Sequence, residues 1–318
     1  MVVSTETYAP NGSFTDYVRI ARVDHWFKNI FMLPGTALAI ILTDITPKQA
    51  LVPTLLALAA LCLAASANYV INEWLDAKSD QHHPVKKNRP AVARQLSASL
   101  VYAQYGLLFS AALLFAASVN VMLTFSVFIF LIMGMAYNIP PVRTKDKVYL
   151  DVLSESLNNP LRLIIGWSAL VTSALPPSSI LFAYWMGGAF LMAAKRFAEY
   201  RMIGDHERAA SYRQSFRDYS EEKLLVSSFF YALCSVFFLG IFLVKYRIEF
   251  LLSFPMFALL FAWYLHIALR EKSVVQTPEK LYRERRFMIY VALLAITVVL
   301  LFFIDIPFLY LLIDPVNF

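Results

Sequence analysis

Asn68, Asn72, Asp76 and Asp80 recur at intervals of four at the end of an apolar stretch, and Lys86, Lys87 and Arg89 follow them. On a helix each step of four turns a side chain only about 40° around the axis, so neighbours in this series share a face. Amide and carboxylate oxygens set out in this way suit Mg²⁺, which keeps several waters and takes one or two carboxylates together with substrate phosphates. Lys and Arg beside them match phosphate oxygens. Asn72, Asp76 and Asp80 are therefore the candidate metal ligands, with Asn68, Lys86 and Arg89 as candidate substrate contacts. The chemistry these types imply is expulsion of diphosphate from a phosphorylated substrate. Pro84 and Pro90 interrupt any regular helix through the basic run. His82 and His83 lack the spacing of a zinc site and read as loop residues.

A second group follows. Tyr137, Arg143 and Lys145 precede Asp151 and Glu155, which are four apart, and Asn158, Asn159 and Arg162 come next. A charged residue inside an apolar run faces a polar cavity or a partner, which makes Arg162 a substrate-binding candidate. A third group is Lys195-Arg196-Phe197-Ala198-Glu199, in which Glu199 is placed to pair with Lys195 one helical turn away. Arg22, Trp26, Lys28 and Asn29 form a fourth, where the Trp and Lys also suit a membrane interface.

The elements that carry these groups are apolar. Of 318 residues, 59% are hydrophobic and 16% are charged, against about 25% charged in soluble domains. Nine apolar runs, 26–42, 51–71, 97–117, 119–138, 158–174, 179–198, 224–244, 250–269 and 287–312, approach the ~20 residues that cross a hydrocarbon core as a helix. Lipid leaves no partner for exposed backbone groups, so the expectation is an all-α membrane protein, a bundle of nine transmembrane helices. It forms one transmembrane domain over 26–318, preceded by a polar segment 1–25 that does not resemble a cleaved leader. Cys62 and Cys234 both fall in apolar runs and predict no disulfide framework.

With the N-terminus inside, only Lys48, Lys245 and Arg247 of the 28 basic residues fall on the outer side. This asymmetry orients the chain with a cytoplasmic N-terminus in the cell (inner) membrane. The polar loops, about 72–97, 139–157, 199–223 and 270–286, then share the cytoplasmic face, and the candidate chemistry with them. Basic residues confined to a lipid surface argue against nucleic acid as a partner and for contact with the bilayer. Ionisable residues at helix ends on one side argue against a transporter, which carries them near the midplane. Nothing in the sequence opposes a homo-oligomer.

The stretch Asn72-Glu73-Trp74-Leu75-Asp76-Ala77-Lys78-Ser79-Asp80 is similar to the N-D-x-x-D-x-x-x-D signature of the UbiA superfamily of intramembrane prenyltransferases, with Glu73 in place of the usual Asp. Nine spans with polar loops after the even-numbered ones fit that family. The resemblance implies a central polar cavity open to the cytoplasmic side, with Asp151 and Glu155 facing the first acidic motif across it. It also implies Mg²⁺ as the cofactor and an isoprenoid lipid, polyprenyl phosphate or diphosphate, as one substrate. The run His83-Pro84-Val85-Lys86-Lys87-Asn88-Arg89-Pro90 resembles the H-P-x-K-x-x-R-P segment of the decaprenyl-phosphate phosphoribosyltransferases, and Lys195 to Glu199 resembles their K-R-x-A-E segment. Aromatic prenyltransferases of the superfamily more often carry R-T-x-x-R-P. The resemblance thus implies phosphoribosyl pyrophosphate as donor, with an aromatic acceptor of polyprenyl diphosphate as the alternative. By the same resemblance Asp76, Asp80, Asp151 and Glu155 are catalytic. Lys28, Asn68, Lys86, Arg89, Tyr137, Lys145, Arg162, Lys195 and Glu199 contact substrate, and Asn72, Asp76 and Asp80 hold the metal. Val23 after Arg22 and the Tyr137–Pro141 segment depart from the pattern.

Overall fold

The computed structural model describes residues 11–81, 86–271, 273–276 and 278–312. Among these residues there is no β-strand, and the α-helices are α1 Phe14–Ile20, α2 Leu33–Leu42, α3 Pro47–Asp80, α4 Pro90–Ala93, α5 Ala98–Ala117, α6 Val121–Asn138, α7 Leu150–Ser156, α8 Asn158–Ser168, α9 Ser178–Ile203, α10 His206–Tyr212, α11 Glu221–Tyr246, α12 Phe254–Ala268 and α13 Arg285–Phe303. Short 3-10 segments join several of them, the longest being Val23–Met32. The chain divides into two compact units, one of Met1–Pro176 with Asp205–Asp218 and one of Pro177–Gly204 with Tyr219–Phe318.

In the first unit α3 is the organising element. Thr46 caps it, accepting from Gln49 N at 3.4 Å while Gln49 Oε1 accepts from Thr46 N at 2.9 Å, and Pro47 takes the first helical position, where its missing N–H costs nothing. Its 34 residues span about 51 Å at 1.5 Å per residue, well over the ~30 Å of a hydrocarbon core. Its last turns therefore have length to spare for polar work. Ala57, Ala60, Ala64, Ala65 and Ala67 on α3 are buried against α5 and α6. Small residues of this kind let membrane helices approach closely, where packing rather than hydrophobicity drives association. Helices α2 and α8 come closer still. A Cβ on Gly35 would fall on the Leu163 carbonyl oxygen and one on Gly166 on that of Met32, and Thr36 Oγ1 donates to Gly166 O at 3.1 Å.

The second unit packs α11 along α9, with Ser235 Oγ donating to Ala183 O at 2.9 Å. Tyr290 OH of α13 donates to Met256 O of α12 at 2.8 Å. Arg247 closes the far end of α13, its Nε donating to Leu301 O at 3.1 Å and its Nη2 to Ile304 O at 2.6 Å.

Seven helical segments among the described residues are long and apolar enough to cross a membrane: Phe14–Leu42, Pro47–Asp80, Ala98–Ala117, Val121–Asn138, Glu221–Tyr246, Ile248–Ala268 and Arg285–Phe303. They cover seven of the nine expected runs. Run 158–174 falls short because its helix, α8, has 11 residues. Run 179–198 lies in α9, which has 26 residues, but Tyr184, Trp185, Gly187, Gly188 and Lys195 dilute its apolar character.

Candidate active site

The polar end of α3 is matched by the polar end of α6. Phe130, Gly134 and Asn138 repeat at four-residue steps along α6 and meet the Asn68, Asn72 series of α3. Gly134 leaves room for the Asn68 side chain, which a Cβ there would strike, and Asn68 Nδ2 donates to Phe130 O at 3.3 Å. One turn on, Asn72 Nδ2 donates to Asn138 Oδ1 at 2.5 Å and to Asp76 Oδ2 at 3.2 Å. Asn68 thus joins the two helices, while Asn72 and Asp76 converge as their spacing predicts. The helix runs on through Asp80, so Asp80 stands on α3 itself rather than in the loop that follows.

Asp76 is shared among cations. Its Oδ1 accepts from Lys145 Nζ at 2.5 Å and from Arg143 Nη2 at 3.1 Å. Lys145 also donates to Asn138 Oδ1 at 2.9 Å and is 4% exposed. That burial pushes its ammonium down from 10.5 to about 8, with Asp76 opposing the shift. Arg143, in left-handed backbone conformation with φ 30°, donates through Nη1 to Asn138 O at 3.0 Å and through Nε to Asp146 Oδ2 at 2.7 Å. Arg213 links this group to the second acidic motif. Its Nη1 lies 3.4 Å from Lys145 O and 3.5 Å from Asp151 Oδ2. Asp151, wholly buried on α7, also accepts from Ser215 Oγ at 3.2 Å.

The remaining candidates have partners of their own. Asp80 pairs with Arg89, and Lys86 bonds to the Tyr212 hydroxyl with its ammonium 4.5 Å from that ring's centroid. Burial and the neighbouring Arg22 draw the Arg89 guanidinium below its ordinary pKa, with Asp80 and Glu73 opposing. Tyr137 OH donates to Glu155 Oε2 at 2.7 Å, and the Lys145 ammonium lies 5.9 Å from the Tyr137 ring. Arg162 donates to Asn29 Oδ1 at 3.3 Å and lies over the Phe130 ring. Lys28 Nζ is 3.3 Å from His25 Nδ1. Lys195 and Glu199 stand on α9 in the second unit, where Glu199 accepts from Arg196 at 3.2 Å, three residues away. His82 and His83 lie outside the described residues.

Sequence spacing did not single out Asn138, Tyr212 or Arg213. Asn138 carries a signal, a lone amide closing an apolar run. Tyr212 and Arg213 carry none, since the loop after span six holds many basic residues and their partners are distant in the chain. The acidic series offers Glu73 only as a carboxylate in place of the usual Asp. Here Glu73 Oε2 accepts from Arg22 at 2.8 and 3.1 Å, away from Asp76.

The donor set fits Mg²⁺. Among the described residues no three His, Cys, Asp or Glu side chains form a closed metal cage. Asn72 and Asp76 offer hard oxygens on one face with cations beside them, as suits an ion that completes its shell with water and phosphate. Asp80 stands one turn further along the same helix.

Residues 32–288 match the UbiA prenyltransferase family. A decaprenyl-phosphate phosphoribosyltransferase of Mycolicibacterium smegmatis is 27% identical over 224 residues, 68% of this chain and 66% of that protein. One from Corynebacterium glutamicum is 26% identical over 206 residues, 64% of this chain and 59% of that protein. The matched region is thus somewhat under two thirds of either relative. A UbiA homologue from Archaeoglobus fulgidus, solved with GPP and Mg²⁺, superposes with TM-score 0.67 at 21% identity, covering 91% of this chain and 100% of that one.

Proposed function

The chain belongs to the UbiA prenyltransferase family, and from that premise we propose that it is a Mg²⁺-dependent membrane transferase moving the 5-phosphoribosyl group from phosphoribosyl pyrophosphate to a polyprenyl phosphate, with loss of diphosphate. The observation that carries the proposal is the Asp76 carboxylate, bonded at once by Asn72, Lys145 and Arg143. Oxygen ligands and phosphate-binding cations there share one small volume. The donor choice rests on the similarity to phosphoribosyltransferases and on the Lys86 to Pro90 part of the basic run.

In this reaction the bond between the anomeric carbon and the diphosphate oxygen breaks, and its electron pair leaves with diphosphate. An oxygen of the acceptor phosphate, already anionic, forms the new bond to that carbon. No side-chain nucleophile or base is required. Lys145, Arg143, Lys86 and Arg89 bind the charge that develops on the leaving group, the kind of preorganised stabilisation that contributes most to such steps. Mg²⁺ held by Asn72 and Asp76, with Asp80 on the next turn, would supply further charge stabilisation to the diphosphate. Asp151, Glu155 and Arg162 are assigned to the ribose or acceptor phosphate.

The same arrangement serves a prenyl diphosphate donor and an aromatic acceptor, and the GPP bound by the Archaeoglobus fulgidus homologue favours keeping this second reading. In either case nine spans, with 158–174 and 179–198 as the two beyond the seven, leave a polar cavity open to the cytoplasmic side of the cell (inner) membrane. Purified protein given radiolabelled phosphoribosyl pyrophosphate and polyprenyl phosphate is expected to yield a labelled lipid only with Mg²⁺. No labelled lipid, with polyprenyl transfer to an aromatic acid instead, would replace the first reading by the second.

A further inference from the structure

Glu73 follows Asn72 in the acidic series, yet one residue turns a helix by about 100°, and the Glu73 side chain leaves the Asn72–Asp76 face. It is 1% exposed and meets Arg22, whose backbone is left-handed with φ 48°. This pair ends a regular ladder. Asn29 Nδ2 donates to Cys62 Sγ at 3.2 Å, Trp26 Nε1 donates to Ser66 Oγ at 2.9 Å, the His25 ring meets Tyr69 edge-on at 5.4 Å, and Arg22 bonds to Glu73. Residues 62, 66, 69 and 73 form one stripe of α3, while 29, 26, 25 and 22 run back along the Val23–Met32 segment. The Arg22 guanidinium also lies 5.6 Å from the centroid of the Tyr69 ring.

The segment so held carries two groups of the candidate site. Lys28 sits between the ladder residues, and Asn29 accepts from Arg162 at 3.3 Å.

We propose that Glu73 is a positioning residue and not a metal ligand: through Arg22 it braces the Val23–Met32 segment against α3, and so fixes Lys28 and Arg162 for the diphosphate of the substrate. This rests on the diphosphate site proposed above, whichever donor that site takes. The test is equilibrium binding of inorganic diphosphate to the purified full chain at saturating Mg²⁺, with the Mg²⁺ concentration for half-maximal binding measured separately. Glu73→Gln, Arg22→Gln and the double variant are compared, and Arg22→Lys is added in case the loss of charge prevents folding.

The expected result is that each single variant weakens diphosphate about tenfold, a loss of about 1.4 kcal/mol. The double variant is expected to be no worse than either single, because the two residues act as one unit. Arg22→Lys, which keeps the charge but loses the two-nitrogen contact, is expected to weaken binding by a smaller factor. The half-maximal Mg²⁺ concentration stays unchanged throughout. A rise in that concentration in Glu73→Gln but not in Arg22→Gln would make Glu73 a ligand and overturn the proposal. Unchanged diphosphate binding in variants with lowered melting temperature would leave the pair a purely structural contact and also overturn it. Wild-type protein that binds no diphosphate with Mg²⁺ would refute the site itself, a result distinct from either.

Discussion

At the residue scale the site is built from shared contacts. Asn138 receives from Asn72 and Lys145 through one oxygen, and Asp76 receives from Lys145 and Arg143 through another. The four-residue series announced Asn72 and Asp76, because a helical period can be counted along the chain. It could not announce Arg213 or Tyr212, whose partners Asp151 and Lys86 lie 62 and 126 positions away. Lys145 yields a measurable consequence. Its folded pKa of about 8 lies below the ordinary 10.5, so folding disfavours the charged form. Below about 8 both states hold the proton and stability is flat. From about 8 to 10.5 only the unfolded chain still holds it, and stability rises with pH. Thermal unfolding in the presence of a chelator is expected to show this rise in wild type and to lose it in Lys145→Met. Identical pH profiles for the two would contradict the burial of a charged ammonium beside Asp76.

At the element scale, periodicity fixed where apolar helices run but not how far they continue. Helix α3 carries Asp80 on a regular turn, and Asp151 and Glu155 sit on the short helix α7 between α6 and α8. Local spacing cannot distinguish such a helix from a polar loop, since packing against neighbours decides it. Nor does sequence reveal the crossing of α2 and α8, because a glycine in an apolar run has many uses. Here Gly35 lies against the Leu163 carbonyl oxygen of α8, and Gly166 against that of Met32, the residue before α2. Gly166→Val is therefore expected to destabilise the purified protein by about 1–3 kcal/mol or more, as overpacking does. The check is its melting temperature in detergent beside that of Gly106→Val, a position with open space around a Cβ. Equal melting temperatures would deny the close approach.

At the scale of the whole molecule, composition and the placement of the apolar runs point to a helical membrane protein, and charge asymmetry predicts its direction. Seven segments meet the requirement for crossing. Of the two remaining runs, 158–174 holds the short helix α8, and 179–198 lies in the 26-residue α9, whose aromatic, glycine and lysine residues lower its apolar character. Arg247, an exception to the charge rule, is accounted for by its bonds to the carbonyls ending α13. Orientation can be checked with a membrane-impermeant thiol reagent on intact cells and on inverted vesicles. A cysteine at exposed Lys48 is expected to react from outside, and one at exposed Lys87 from inside; the reverse pattern would invert the topology. The central claim is a metal-dependent diphosphate seat at the end of α3, and the most direct measurement is calorimetric binding of inorganic diphosphate to wild type and to Asp76→Asn. Lys145 retains Asn138 Oδ1 as a partner in that variant, so the protein is expected to stay folded. The account predicts binding in wild type that requires Mg²⁺ and falls at least about a hundredfold, ~2.7 kcal/mol, in Asp76→Asn. Binding of equal strength in both proteins, or binding indifferent to Mg²⁺, would contradict it.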